Sequence, residues 1–346
     1  MARNASALVH WSQYLPLRFV AGLLQCFSHE QNLQTAAAAG STLYRMNSGR
    51  RHRCIENLRW SFPEWDEDRI ELIAEQSFQS MVQLAMVDSI TMTRLVTPDT
   101  WPNHVNMLGV QPVLEKLVKG DPLLMLTGHC GNWEMLGYVL AVCGYPITAL
   151  ARPLDNPLIN NWVMRIREAH GLKILEKWGA APQLQKRLED GEQLGFIADQ
   201  NAGDQGLFVP FFGRLASSYK SIGLLAMRYE TPIVVSQARR VGQQFKFECI
   251  CSDVIEPGDW VDQDDPLFYI TARYNRAIET LIRGAPEQYL WLHRRWKSRP
   301  RHEREGKPIP QATREKIAAL PWMTGDEVER IVEWSERSAL EQGARR

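Results

Sequence analysis

The sequence predicts an α/β protein: a mainly parallel sheet with helices on both faces, an added antiparallel hairpin and an N-terminal helical region. Three observations carry this. From Asp121 onward, short apolar runs alternate with helical patterns, and a strand–helix–strand succession closes by right-handed crossovers into a parallel sheet. "PIVVSQARR" and "QFKFECICSDV" flank Gly242 and read as the antiparallel hairpin. Before residue 110 the pattern is helical, and "RIELIAEQSFQSMVQLAMVDSI" spaces its apolar residues three and four apart. These patterns divide the chain into a helical region, 1–110, an α/β region, 111–305, and a charged helical tail, 306–346.

Taken in order, the first segment of note is "YLPLRFVAGLLQCF", residues 14–27. A membrane-spanning helix needs about 20 apolar residues; this stretch is shorter and Arg18 interrupts it. Polar "SHEQNLQ" separates it from "TAAAAG", which argues against a secretory signal. A helix lying in a membrane interface remains, with an ordinary buried helix as the alternative. Asn57 and Leu58 then lead through "RWSFPEW" into a turn at Pro63. In the α/β region "PLLMLTGH", "PITALAR", "LKILEK" and "LGFIADQ" read as strands. Between them "NWEMLGYVLAVCG", "NPLINNWVMRIREAHG" and "APQLQKRLEDG" read as helices. Asn156 is the expected N-cap of the second, with Pro157 at its first position and Gly171 as its stop. "DPLFYITARYNRAIETLIRG" is a long helix, "QYLWLHRRWKSRP" a last short strand entering a basic segment, and the tail is helical from about Gln311.

Composition narrows the function. Lys plus Arg equals Asp plus Glu at 40 each, so no global charge draws the chain to nucleic acid, and no nucleic-acid-binding motif is present. Six scattered cysteines without a C-x-x-C pair read as reduced thiols in the cytoplasm. Metal and nucleotide chemistry lack their patterns: no H-E-x-x-H, no P-loop, no G-x-G-x-x-G after a strand.

The chemistry concentrates in "LTGHCGNWEML". His129 falls in a strand-to-helix turn, Asn132 is a good N-cap, and Glu134 lies in the first helical turn, where the helix dipole favours a carboxylate. In open α/β sheets ligands bind outside the carboxyl ends of the strands, where this turn lies. A carboxylate on an imidazole fixes its tautomer and raises its basicity, as a general base requires. Read alone, the pair is equally an ordinary loop histidine and a helix-terminal charge. Asp199 and Gln200 end another strand on the same edge, and Arg152 ends a third. "GLFVPFFGR" reads as a loop, though an unusually apolar one, and joins Phe208, Phe211 and Phe212 to Arg214, suiting a ligand with an apolar chain and an anionic head, or else a core stretch beside a surface arginine. From Arg294 to Lys307, seven basic residues stand against two Glu, beside Trp291 and Trp296. Arg294, Arg295 and Lys297 therefore suit anionic lipid headgroups, or form a solvated basic surface.

Together "NLRWSFPEW", "LTGHCGNWEML", "ARPLDNPLINNWVMRIREAHG", "ADQNAGDQGLFVPFFGRLASS" and "WLHRRWKSRP", in that order, resemble the bacterial lipid A biosynthesis acyltransferases over residues 15–305. The resemblance implies a transferase of the glycerolipid acyltransferase type at the cytoplasmic face of the inner membrane. It would move an acyl chain from acyl carrier protein or acyl-CoA to a hydroxyl of a lipid A precursor. The family's His-x4-Glu/Asp signature maps onto His129 as base and Glu134 as its orienting carboxylate. Arg167 and Arg152 would meet the oxyanion; Asn132, Asp199, Gln200 and Arg214 would shape the substrate pocket, and Phe211 and its neighbours an acyl groove. The thioester is already activated, so no metal or cofactor is implied. Members commonly carry an N-terminal span, from which residues 14–27 depart. Two alternatives stay open: another glycolipid or lipid acceptor, and a lipid-binding relative without catalysis. A hydrolase using the same pair is disfavoured by the lack of a G-x-S-x-G nucleophile.

Overall fold

The computed structural model describes residues 7–176, 179 and 181–343. Helices α1 (Ala7–Leu23), α2 (His29–Met46), α3 (Ser48–Ser61), α4 (Glu67–Val82) and α5 (Ser89–Leu95) come first, with a π-helical turn, Gln83–Asp88, joining the last two. There follow β1 (Val105–Leu108), α6 (Gln111–Lys119), β2 (Leu124–Thr127), α7 (Trp133–Val142), β3 (Thr148–Ala151), α8 (Pro157–Arg167), β4 (Lys173–Glu176), α9 (Ala181–Glu189) and β5 (Leu194–Ile197). Next are β6 (Leu207–Phe211), β7 (Arg214–Ser218), α10 (Lys220–Tyr229), β8 (Ile233–Arg240), β9 (Phe247–Ile255) and α11 (Pro266–Gly284). Helices α12 (Arg301–Arg304), α13 (Gln311–Ala318) and α14 (Gly325–Gly343) complete the described chain.

Seven strands form one sheet in the order β1-β9-β8-β2-β5-β3-β4. Every pair is parallel except β8–β9, the expected hairpin. Val105–Leu108 therefore joins the sheet from within the stretch read as purely helical. The end of the strand expected at "LKILEK", Lys177, lies outside the described residues. All four residues of β2 are buried, as a central parallel strand covered on both faces requires. Burying side chains such as Leu124 and Leu126 contributes about 1.5–3 kcal/mol each, so this strand is a firm base for the turn that follows it.

Two expectations are corrected. "GLFVPFFGR" is not an irregular loop: β6 and β7 form a separate two-stranded antiparallel ribbon. Its turn sits at Phe212 and Gly213, both with positive φ (52° and 66°), as a two-residue hairpin demands. The Phe212 N–H donates to Glu279 Oε2 at 2.7 Å, which helps hold a non-glycine residue there. The last strand is absent: Tyr289 makes a single bridge to Cys130, and the basic segment runs on in turns. The reason is competition, because Asn57 Nδ2 donates to the carbonyls of Trp291 and His293, and the Trp291 indole N–H to that of Pro286.

The tail is docked. Arg330 donates to the Trp60 carbonyl, Trp334 packs edge-on against Trp60, and His302 contacts Ser335, which donates to buried Glu303.

Candidate active site

The strand β2 delivers its chain to the carboxyl edge of the sheet, and β5 lies beside it in parallel register. Residues just past the two strands therefore meet. Asp199, buried at 1 % exposure, accepts from the His129 backbone N–H at 2.9 Å and from the ring Nδ1 at 2.8 Å. Because a carboxylate only accepts, the ring proton sits on Nδ1, and Nε2 is the basic nitrogen. Gln200 brings its side-chain amide nitrogen to 3.2 Å from Nε2. The turn also needs its glycine: Gly131 has φ 61°, and a Cβ there would lie 2.4 Å from the Ala238 carbonyl oxygen.

Electrostatics agree with this geometry. Burial works to lower the His129 pKa, but the charge and hydrogen bond of Asp199, with a contribution from Glu134, hold it above the ordinary 6.5. Burial likewise opposes ionisation of Asp199, but the His129 charge and hydrogen bonds bring it down to about 2. Cys130 next door is buried and pushed up to about 12, chiefly by burial, so it stays a thiol.

The carboxylate on the imidazole is thus Asp199, where the sequence pattern pointed to Glu134. Glu134 instead takes the Arg167 guanidinium in a two-pronged ion pair, with Arg167 Nε 2.8 Å from Oε2 and Nη2 on Oε1. The cause is direction. Glu134 sits on α7, while Asp199 stands on the neighbouring strand's edge.

Two cavities meet at this turn. One, of about 90 Å³, lies between α7 and the sheet, with Leu140, Ile147, Leu172 and Phe196 in its wall and Glu134 and Arg167 also lining it. The other, of about 220 Å³, lies between α4, the π-helical turn and the hairpin, and His129 stands in its wall. Trp133 is the one residue lining both, and its ring packs edge-on against the imidazole, centroids 4.9 Å apart.

Of the other expected residues, Asn132 also lines the larger cavity, and the rest fall elsewhere. Asn132 caps α7, accepting from Met135 N at 2.8 Å and donating to Asp88 at 3.0 Å, so both ends of its amide are used within the protein. Arg152 is exposed, lies 3.2 Å from Asp155 and lines neither cavity. Phe211 is core at 1 % exposure rather than an acyl groove. Arg214, 3 % exposed, lies 3.4 Å over the Trp296 ring and donates to Ser61, so no anionic ligand reaches it from solvent. Arg295 is buried and donates to Ser217, Ser218 and Asn275, holding the β7 end against α11 instead of meeting headgroups. Arg294 and Lys297 are exposed as expected. Sequence reasoning missed His293, whose ring stacks 6.3 Å from His129, and the Asp88–Arg240 ion pair. No local pattern marked either, since both arrive from distant segments. Among the described residues, no group of three or more His, Cys, Asp or Glu is placed to hold a metal ion.

Comparison with known proteins gives this geometry its setting. Residues 2–298 match the family model described as bacterial lipid A biosynthesis acyltransferase. The chain belongs to that family. It is therefore an acyltransferase. The chain is similar to a lipid A biosynthesis acyltransferase of Haemophilus influenzae, 22 % identical over 70 % of this chain and 74 % of the relative. It is also similar to the lipid A biosynthesis palmitoleoyltransferase of Escherichia coli, 26 % identical over 71 % and 78 %. The lauroyltransferase of the same organism is 26 % identical over 70 % and 78 %. The two Escherichia coli relatives are named for different acyl chains, so the family sets the reaction class and leaves chain length to the individual member.

Proposed function

We propose that this acyltransferase moves a fatty acyl chain from a thioester of acyl carrier protein or coenzyme A to a hydroxyl of a lipid A precursor. The observation that carries this reading is the Asp199–His129 pair, with His129 in the wall of a glutamine-rich cavity and an apolar cavity across Trp133. In the reaction, His129 Nε2 takes the proton of the acceptor hydroxyl as its oxygen attacks the thioester carbonyl. The tetrahedral intermediate collapses, the C–S bond breaks, and the imidazolium returns the proton to the departing thiolate. Asp199 acts as a positioning residue that stabilises the imidazolium. The oxyanion is met by the N-terminal N–H groups of α7 and by Arg167. The apolar cavity takes the acyl chain, and the ion pair of Glu134 with Arg167 fixes the guanidinium near the carbonyl.

The reading includes a membrane surface. Helix α1 exposes Leu8, Trp11, Leu15, Phe19 and Leu23, spaced three and four apart, with Phe19 68 % exposed. Across the helix Ala21 is buried, Asn156 Nδ2 donates to the His10 carbonyl at 3.0 Å, and Arg18 lies over Trp162 of α8. A helix held by one side with a bare apolar stripe on the other suits partial burial in a bilayer interface, at the cytoplasmic face. Among the described residues no helix is long and apolar enough to cross a membrane.

The decisive experiment is acyl transfer from labelled donor thioester to a lipid A precursor in membranes. Wild type should give product, and His129→Ala should lose about 10²–10⁴ of the rate, the usual share of a general base. Transfer untouched by His129→Ala would end the mechanism, and transfer only to other lipid acceptors would end the acceptor assignment.

A further inference from the structure

The cavity in whose wall His129 stands has a lining that the reaction itself does not account for. Five glutamines, Gln76, Gln79, Gln83, Gln243 and Gln288, contribute to it, together with Ser77 and Ser80. Its charged groups nearly cancel. Arg240, the arginine among its lining residues, is spent on Asp88, and Glu287 adds a further negative charge. A phosphate or carboxylate gains little from such a wall, since among the described lining residues no Lys or Arg is left to receive it. A neutral group bearing hydroxyls and amides gains much, because each glutamine offers both a donor and an acceptor.

Part of that capacity is unused by the protein. The side chains of Gln76 and of the exposed Gln243 have no hydrogen-bond partner among the described residues, whereas Gln79 reaches Ser41 and Gln83 donates to the Leu33 carbonyl. Asp88 is 2 % exposed; its Oδ2 serves Arg240 and Asn132, but its Oδ1 is buried without a partner. A buried carboxylate oxygen left open is costly unless something supplies the missing donor. Asp88 closes the π-helical turn Gln83–Asp88, a rare geometry that tends to occur at functional sites.

We infer that this amide-lined cavity is the subsite for the neutral sugar-and-amide portion of the hydroxyl-bearing acceptor, with the acceptor's phosphates left outside it. The inference rests on the acyl-transfer reading above and deepens it. The base must touch the acceptor hydroxyl, so the cavity that His129 lines belongs to the acceptor. The donor's acyl chain lies across Trp133, in the apolar cavity. Gln76 and Gln243 close on the sugar from opposite sides, one on α4 and one on the hairpin loop, and the sugar's hydroxyl or N–H groups answer Asp88 Oδ1.

The same amide chemistry has a second source, the pantetheine arm of the donor, and the experiment separates the two. The full chain would be compared with Gln76→Leu, Gln243→Leu and the double variant; neither side chain has a bond within the fold to lose. Two readouts are taken: KM for acceptor and donor separately, and direct binding of an unphosphorylated N-acylglucosamine lipid in detergent micelles. The double variant should bind the neutral glycolipid about tenfold more weakly and raise acceptor KM about tenfold, the loss of two ordinary hydrogen bonds, with kcat and donor KM within about twofold. A rise in donor KM with acceptor KM unmoved would overturn the assignment in favour of the donor's arm, and no change in either would overturn it outright. Binding of the glycolipid that the double variant loses, in a wild type that transfers no acyl group, would uphold the subsite and overturn the acyl-transfer reading instead.

Discussion

The two cavities that meet at Trp133 differ in almost every physical respect. The one under α7 is lined mostly by aliphatic side chains and by the glycines at 137 and 195, with a single ion pair among its lining residues; the one beside α4 is lined by glutamines, serines and a paired Asp–Arg. One excludes water-loving groups and accepts whatever apolar length fits. The other, where Met81, Leu84, Phe247 and Leu290 share the wall, offers its amides to groups that carry hydroxyls or amides. The contrast teaches that orientation is set before chemistry begins: two unlike halves of a reaction are sorted by solvation, and a single histidine stands where they touch.

That contrast can be broken at several points. The largest effect is expected at the junction, where His129→Ala should cut transfer by about 10²–10⁴ while leaving both cavities in place, so binding of a fatty acid and of a neutral glycolipid should persist. Loss of both would mean that the turn itself had collapsed. On the apolar side, Gly137→Leu should shorten the preferred chain and lower kcat/KM for the longest substrate by about 10- to 200-fold, the range for excess methylenes in a hydrophobic pocket. Gly137→Ala is the gentler form. A Cβ there would meet Leu172 at 3.5 Å, an ordinary contact, and alanine gains about 1 kcal/mol of helix propensity over glycine. The protein should therefore melt no lower while its chain preference still moves. Unchanged preference in both variants would place the acyl chain elsewhere.

A smaller effect concerns pH. A base must be neutral, and the His129 pKa is raised, so the rate should fall with decreasing pH through a midpoint above 6.5. Asp199→Asn removes the charge and leaves burial, which lowers the pKa; the midpoint should then move below 6.5, and what remains of the rate should be small. A midpoint unmoved by Asp199→Asn would assign it to another group. The smallest effect is expected at α1. Asn156 Oδ1 caps α8, accepting from Leu158 N at 2.9 Å, while Nδ2 holds α1. Asn156→Asp keeps the cap and loses the tether, the two hydrogen bonds to His10 and Gln13, so the rate in detergent should hold within about twofold while vesicle binding weakens by about fivefold. Vesicle binding unchanged in both Asn156→Asp and Phe19→Glu would remove α1 from the membrane surface.

Much of this architecture was legible in the sequence because it rests on local pattern. The strand "LMLT", the cap at Asn132, the helix opened by Asn156 and Pro157 and the hairpin around Gly242 all follow from periodicity and capping chemistry. Of the site, His129, Asp199 and Gln200 were legible as residues on one edge of the sheet, but their contact was not. Which carboxylate touches the imidazole depends on β5 lying beside β2, a long-range pairing that a five-residue interval does not encode. The buried arginines misled for a related reason: Arg214 and Arg295 look like ligand-binding charges until packing supplies the indole and carbonyls that enclose them. The cavities were invisible, since Gln76 and Asp88, Arg240, and Gln288 come from three separate segments.

The enclosure of Arg214 has a consequence for how the molecule is made. Its guanidinium lies over Trp296 and within 5.8 Å of Trp334, and Arg299 sits 3.8 Å over the same Trp334 ring. Trp334 lies beyond residue 298, where the family match stops. During synthesis the β6–β7 ribbon therefore emerges well before the indole that helps cover its arginine. Until α14 arrives, that charge stays in water, and the ribbon cannot settle fully against the core. Part of the cover over Arg214 is thus supplied by a helix outside the matched residues 2–298, and a fragment ending at 298 should leave that guanidinium more open to water.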